Sequence, residues 1–446
     1  MDKARETALR VLQAVEEEGA YANVALVKVM RRHPLSEQDR RFVTELVYGT
    51  VKASGTLDWI LRRYSSRPLR KILPMIRLIL KMGLYQIFYL DRVPASAACN
   101  TSVDLAKRYG HAGTAKFVNA ILRSAVREPE KAAFPHGPGK ATEELALASF
   151  HPQWLVRRWV KAFGFDEAKA LCDFDNTQAP LVVRVNTLKT NREGLLDALK
   201  ESGAEAEPST WSPEGVIIRS HGSLDTLAPL QEGLCQVQDE SSMLVAHVVA
   251  PQDGEFIIDC CSAPGGKTTH MAALMHNTGH IVAGDLYDHK LERIAENAAR
   301  LGITTIETKK TDARDIGKLY PGKADRVLVD APCSGLGVLR RKPDARWRKT
   351  EEEIAELPKL QYAILASAAM AVKPGGVLVY STCTIERAEN QAVVESFLTR
   401  HPEFSFECTG SFLPEKKRQE DMVQLYPQRD GTDGFFIARL RRAADQ

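Results

Sequence analysis

Beyond Leu234 the sequence alternates short apolar runs with amphipathic stretches of helical period, and this change of period constrains the chain most. The runs are Glu255–Asp259, His280–Gly284, a weaker Thr305–Thr311, Asp325–Val329 and Gly376–Tyr380. Helical spacing follows over Lys267–Met275, Asp288–Arg300 and about Glu351–Ala371. Such alternation predicts a doubly wound, mainly parallel sheet. Gly434–Leu440 reads as a last strand, with antiparallel placement open.

The chain before this point has a different period. From Arg5 to about Arg127, Leu9, Leu12 and Val15, then Ile72, Met75, Ile76, Ile79 and Leu80, recur at three-and-four spacing, which predicts an all-helical bundle. Phe134-Pro135-His136-Gly137-Pro138-Gly139 marks a linker. Beyond it, a helix at Trp154–Phe163 and strands at Leu181–Asn186 and Val216–Ile218 indicate a small α+β module. The expected division is therefore 1–128 helical domain, 129–144 linker, 145–233 α+β module and 234–446 α/β domain. A chain of 446 residues is too long for one ordinary core, in keeping with that division.

Charge is unevenly placed. Residues 1–140 hold 24 Lys+Arg against 13 Asp+Glu, whereas the remainder holds 36 against 44. A net +11 followed by a net −8 suggests a polyanionic partner at the first third, although a solvated basic face would look the same. No apolar run reaches the roughly 20 residues of a membrane span. The charged start, Met1 to Glu6, leads into no apolar stretch, so a cytoplasmic protein with no membrane partner is expected. The eight cysteines form no CxxC pair and no metal-ligand spacing, so no metal is expected and most thiols should be buried.

Ligands of open α/β sheets sit beyond the carboxyl ends of the strands. After the first run comes Cys261-Ser262-Ala263-Pro264-Gly265-Gly266-Lys267-Thr268, a glycine loop opening a helix. Its backbone can approach a ligand closely, and the helix start offers N–H groups to a carboxylate. A Walker A loop would need glycine where Cys261 stands, and the GxGxxG of dinucleotide enzymes is absent. Asp285, Asp312 and Asp330 close the next three runs. Asp285 suits a ribose diol and Asp312 an adenine amino group, a layout that fits a methyl-donor nucleotide better than NAD.

Two cysteines emerge at the same edge, in Asp330-Ala331-Pro332-Cys333-Ser334-Gly335 and Ser381-Thr382-Cys383-Thr384. A thiolate at such a strand end can add to an electrophilic ring carbon, and an acid beside it, such as Asp330, can donate to a ring nitrogen where charge develops. Between them Arg340, Arg341, Lys342, Arg346, Trp347 and Arg348 suit phosphate contacts and base stacking, a solvated loop being the alternative. The target base would have to be flipped or unpaired.

These cysteine motifs, with Ala263-Pro264-Gly265-Gly266-Lys267-Thr268, resemble the double-cysteine signature of RNA 5-methylcytosine methyltransferases. The resemblance implies S-adenosylmethionine as cofactor, Cys383 as nucleophile and Cys333 as the thiol that assists release. It also assigns Cys261 to Lys267, Asp285, Asp312 and Asp330 to cofactor binding. Asp39–Thr50, Gly83–Ile87, Val93–Ala95 and Phe117–Arg123 resemble the NusB RNA-binding fold, and the whole chain is similar to the RsmB/Sun/Fmu family. That implies an all-α NusB-like domain, a small α+β RNA-binding module and a Rossmann-like α/β methyltransferase domain. The substrate it implies is a cytosine of 16S ribosomal RNA, free or in an assembly intermediate, with no obligate protein partner. Lys81 and Met82 stand where Arg and Leu are usual, and Cys260-Cys261-Ser262-Ala263 replaces Leu-Cys-Ala-Ala. A transfer-RNA methyltransferase would share this catalytic core, and a non-catalytic RNA-binding factor with a decayed enzyme domain is the other alternative.

Overall fold

The computed structural model describes residues 2–33, 35–222, 224–413 and 419–444. They fall into two units, Met1–Thr177 with Leu339–Glu351, and Gln178–Val338 with Glu352–Gln446.

The first unit is helical. Helices Lys3–Glu16, Ala22–Arg32, Glu37–Lys52, Ser54–Tyr64, Pro74–Tyr89, Ala95–Tyr109 and Ala112–Arg127 bury the periodic residues, among them Leu9, Leu12, Ile76, Ile79 and Leu80. Asp2 and Ser36 cap the first and third by accepting from Arg5 N and Asp39 N. Lys81 is buried in this core, bonded to Ser54 Oγ at 2.8 Å and paired with Glu16 and Asp58. A buried ammonium is tolerable only with such partners.

By packing, the chain up to Thr177 groups with these helices. The expected linker carries a 3-10 turn at Pro129–Ala132 and the start of a helix, Ala141–Ala148. Phe134 meets Trp59 edge-on at 5.6 Å, and Thr56 Oγ1 donates to Leu147 O at 2.9 Å. Helices Gln153–Phe163 and Phe165–Asp175, expected within the α+β module, group with the helical unit. Phe150, just before them, meets Tyr89 edge-on at 5.1 Å, and Trp159 of the first is fully buried.

The second unit holds two sheets. The smaller is antiparallel, in the order β2-β3-β1-β4, from β1 (Leu181–Val185), β2 (Glu205–Pro208), β3 (Gly215–Ser220) and β4 (Cys235–Val237). The larger comprises β5 (Phe256–Asp259), β6 (His280–Asp285), β7 (Ile306–Lys310), β8 (Ala324–Asp330), β9 (Val372–Thr382), β10 (Phe404–Phe406), β11 (Met422–Leu425) and β12 (Phe435–Arg442). Its order is β10-β12-β9-β8-β5-β6-β7, with β11 also on β12. The stretch β9-β8-β5-β6-β7 is parallel, and β12 runs antiparallel to β9. The sequence reading missed β10 and β11, which are too short to show a period. Strand order reverses between β5 and β8, and a crevice opens at such a switch point. Among the described residues no helix is long and apolar enough to cross a membrane.

Candidate active site

The loop after β5 is held by its neighbours' backbone. Cys260 N donates to Leu328 O on β8, and Ser262 donates to Gly284 O through both N (3.0 Å) and Oγ (2.8 Å). Gly265 has φ +96°, and a Cβ there would meet the backbone of Ile294 at 3.3 Å. Only glycine serves at that turn. The helix Gly266–Leu274 starts at once, so Lys267 lies in its first turn. Arg184 of the small sheet donates to Gly266 O at 2.6 Å, Thr269 Oγ1 at 3.1 Å and Gln238 Oε1. The module is thereby bonded to the start of this helix.

The parallel register of β8 and β9 sets Asp330 beside Ser381. Asp330 Oδ1 accepts from Ser381 Oγ at 2.8 Å and Oδ2 accepts from Lys267 Nζ at 2.7 Å. Beyond these strand ends Cys333 and Cys383 place their sulfurs 3.4 Å apart, with no disulfide between them. The hydrogen bond to Cys383 and burial push the Cys333 thiol well up, helped by the nearby Glu389 and Asp330. Burial would lower the Lys267 ammonium, but Asp330 and Cys383 outweigh it, and it titrates above its ordinary value.

Glu389 and Asn390, absent from the sequence reading, hold the loops that carry both thiols. Glu389 is fully buried and accepts from Ser334 N (2.8 Å), Ser334 Oγ and Gln361 Nε2 (2.9 Å). Gln361 also donates to Pro332 O, and Tyr380 OH donates to Glu389 O at 2.6 Å. Asn390 accepts from Thr382 Oγ1 and donates to Thr384 O at 2.9 Å. The one available signal was an acid–amide pair six residues past Cys383 and just before the helix Gln391–Arg400.

The strand-end acids separate into two kinds. Burial pushes the Cys261 thiol up, and Asp259, Asp330 and Asp285 add to the shift, so these carboxylates stand around one loop. Asp285 accepts from Tyr287 N at 3.2 Å and lies 3.4 Å from Lys290 Nζ, keeping acceptor capacity for a ligand. Asp312 is occupied by its neighbour: Arg314 donates through N, Nε and Nη2, and these bonds hold the carboxyl below its ordinary range.

The basic segment expected to meet RNA lies in the helical unit. Arg346 is fully buried and donates to Phe150 O at 3.0 Å and Asn176 Oδ1 at 3.2 Å. Trp347 Nε1 donates to Lys52 O at 3.0 Å, and Arg348 to Gly19 O and Ala20 O. Arg340 lies 4.4 Å over the Phe174 ring, Arg341 is half-buried, and Lys342 is exposed, 5.9 Å from the Tyr21 ring. The phosphate contact expected of Arg346 therefore has no accessible group. Desolvation of that guanidinium is offset by carbonyls instead.

A helix start rich in N–H groups beside carboxylates at Asp285 and Asp330 suits an amino-acid nucleotide. The N–H groups can take its carboxylate, and the acids its ammonium and ribose hydroxyls. A Cβ on Gly284 would lie 3.1 Å from Thr311 Cγ2, so the wall preceding Asp285 stays at backbone thickness.

Comparison with known proteins covers nearly the whole chain. Residues 246–441 match the family described as 16S rRNA methyltransferase RsmB/F. Residues 2–127 match the NusB family, and 151–225 the ferredoxin-like domain of RsmF/B-like methyltransferases. The chain is 40% identical to the probable ribosomal RNA small subunit methyltransferase B of Bacillus subtilis over 98% of each chain. It is 41% identical to that of Synechocystis over 99% of this chain and 100% of the relative. Among solved structures, PH0851 shares 29% identity at a TM-score of 0.87, over 99% of this chain and 98% of that one. NSun6 from Pyrococcus horikoshii with SFG shares 26% at 0.60, over 66% and 99%.

Proposed function

The chain belongs to the ribosomal RNA small subunit methyltransferase B family, and on that premise we propose that it methylates C5 of a cytosine in 16S ribosomal RNA. The observation that carries this reading is the pair of thiols 3.4 Å apart at neighbouring strand ends, flanked by the Lys267–Asp330 pair.

Residues Cys261–Lys267, with Asp285 and Asp330, would hold S-adenosylmethionine, and Asp312 is retained only as a secondary contact because Arg314 already occupies it. When bound, that cofactor supplies an electrophilic methyl group. Leu286 and Tyr287, exposed just after Asp285, offer an apolar surface for its adenine. Cys383 adds through Sγ to C6 of the flipped base, and Lys267, close enough for mutual electrostatic influence, favours the thiolate. Asp330 accepts from the exocyclic amine while the Lys267 ammonium donates toward N3, where addition places negative charge. This acceptor–donor order matches cytosine and opposes uracil. Cys333, kept as a thiol, donates to the Cys383 sulfur as it leaves C6 once H5 has been removed. Glu389 positions both loops and touches no reacting atom.

The test is covalent trapping with labelled 16S RNA fragments. Cys383→Ala should abolish methyl transfer and form no adduct, whereas Cys333→Ala should accumulate a denaturation-resistant RNA–protein adduct. Adduct in the Cys383 variant would reverse the two thiols. Bisulfite mapping of cells lacking the protein should show one 16S cytosine unmethylated; loss confined to transfer RNA would overturn the substrate.

A further inference from the structure

Three side chains that methyl transfer does not use converge in the second unit. Glu214 precedes β3, His247 lies on the helix Glu240–Val249, and His270 on the helix Gly266–Leu274. Their ligating atoms all lie within 4.8 Å of one another, and among the described residues no other such trio of His, Cys, Asp or Glu is found. Glu214 Oε2 stands 2.8 Å from His247 Nε2 and 3.8 Å from His270 Nε2. The two imidazoles are nearly perpendicular, 5.3 Å between centres.

His270 is the unusual member. Its side chain is 1% exposed, and neither ring nitrogen meets a hydrogen-bond partner. An unpaired buried polar group is destabilising, and its neighbours on the helix, Met271, Ala272 and Ala273, show what plain packing there would use. A metal ion would satisfy the nitrogen. We propose that Glu214, His247 and His270 bind one divalent cation of the zinc or cobalt class, pinning the small sheet to the helix that carries the cofactor loop.

Zinc bonds of about 2.0–2.1 Å in tetrahedral geometry put donor atoms about 3.3 Å apart, and the two carboxylate–imidazole distances bracket that value. Two imidazoles and one carboxylate suit Zn2+, Co2+ or Ni2+ rather than Ca2+ or Mg2+, and leave one position for water. Arg184, close enough to His270 to act on it electrostatically, repels a dication and lowers the affinity below that of a site without a cation beside it. The proposal is independent of the methyl-transfer reading, because the metal enters no step of it.

The experiment titrates Co2+ into the chelator-treated full-length protein, following visible absorption, bound metal per chain and Tm. One equivalent should bind with d–d bands in the visible, no thiolate-to-cobalt band in the near ultraviolet, and a Tm rise of a few degrees. Glu214→Gln and His247→Ala, each checked for an unchanged circular dichroism spectrum, should weaken binding at least tenfold. Uptake no greater than in the His247 variant would overturn the site. So would a thiolate band abolished by Cys383→Ala, which would put the metal on the catalytic cysteines.

Discussion

The Glu389 carboxylate accepts four hydrogen bonds with no exposed surface, and two of them come from the residue that follows Cys333. Truncating it leaves Ser334 N without a partner, at about 1–3 kcal/mol for the orphaned group, and leaves Gln361 Nε2 with Pro332 O alone. Glu389→Gln keeps the shape but turns an amide N–H toward a donor. We expect kcat to fall about tenfold with the cofactor KM unchanged, measured in single turnover; an unaltered kcat would remove the positioning role. Asp259 is a different buried acid. It accepts from Thr268 Oγ1 at 2.7 Å, its Oδ1 has no partner, and burial pushes it up to about 7. With the folded value above the unfolded one, its contribution is fully present below about pH 4 and lost as pH rises to about 7. Asp259→Asn should therefore flatten the Tm profile between those limits and stabilise the protein at pH 8. A variant profile as steep as the native one would show that another group dominates.

At the scale of elements, Gly55 shows how a neighbour changes the sign of a local rule. Alanine at an exposed position in a helix such as Ser54–Tyr64 would gain about 1 kcal/mol over glycine. Here a Cβ would stand 2.2 Å from the Trp347 ring, and overpacking costs about 1–3 kcal/mol. Gly55→Ala should lower Tm, and Gly55→Ala with Trp347→Ala should lose less than the two single losses combined. Additive losses would mean that the ring does not pack on this glycine in solution. The glycine loop was legible as a motif, and most of the parallel strands and the last strand as short apolar runs, because they are buried over most of their length. The extension of the helical unit to Thr177 was not, since helix period looks alike whichever core it faces.

For the whole molecule, charge separates the two ends of the chain. Arg62, Arg63, Arg67, Arg70 and Lys71 are exposed within ten residues of the helical unit. With Arg346 buried and Trp347 and Arg348 bonded to backbone carbonyls, these cations and Lys342 are the better candidates for phosphate contact. Replacing Arg62, Arg70 and Lys71 by alanine should weaken RNA binding and lower the log–log salt slope by about 0.7–0.9 per lost contact. An unchanged slope would move the RNA elsewhere.

By itself the sequence determined the α/β alternation, the loop Cys261–Lys267, the strand-end acids and the two candidate thiols, because periodicity and short motifs report local geometry and exposure. Only the tertiary structure decided that Glu389 lies under Ser334 (55 residues apart), that Arg346 reaches Phe150 (196 apart), and that Glu214, His247 and His270 converge. Such pairings are made by the packing of distant elements. A charged or polar side chain carries no local mark of whether water, a carbonyl or a metal will satisfy it.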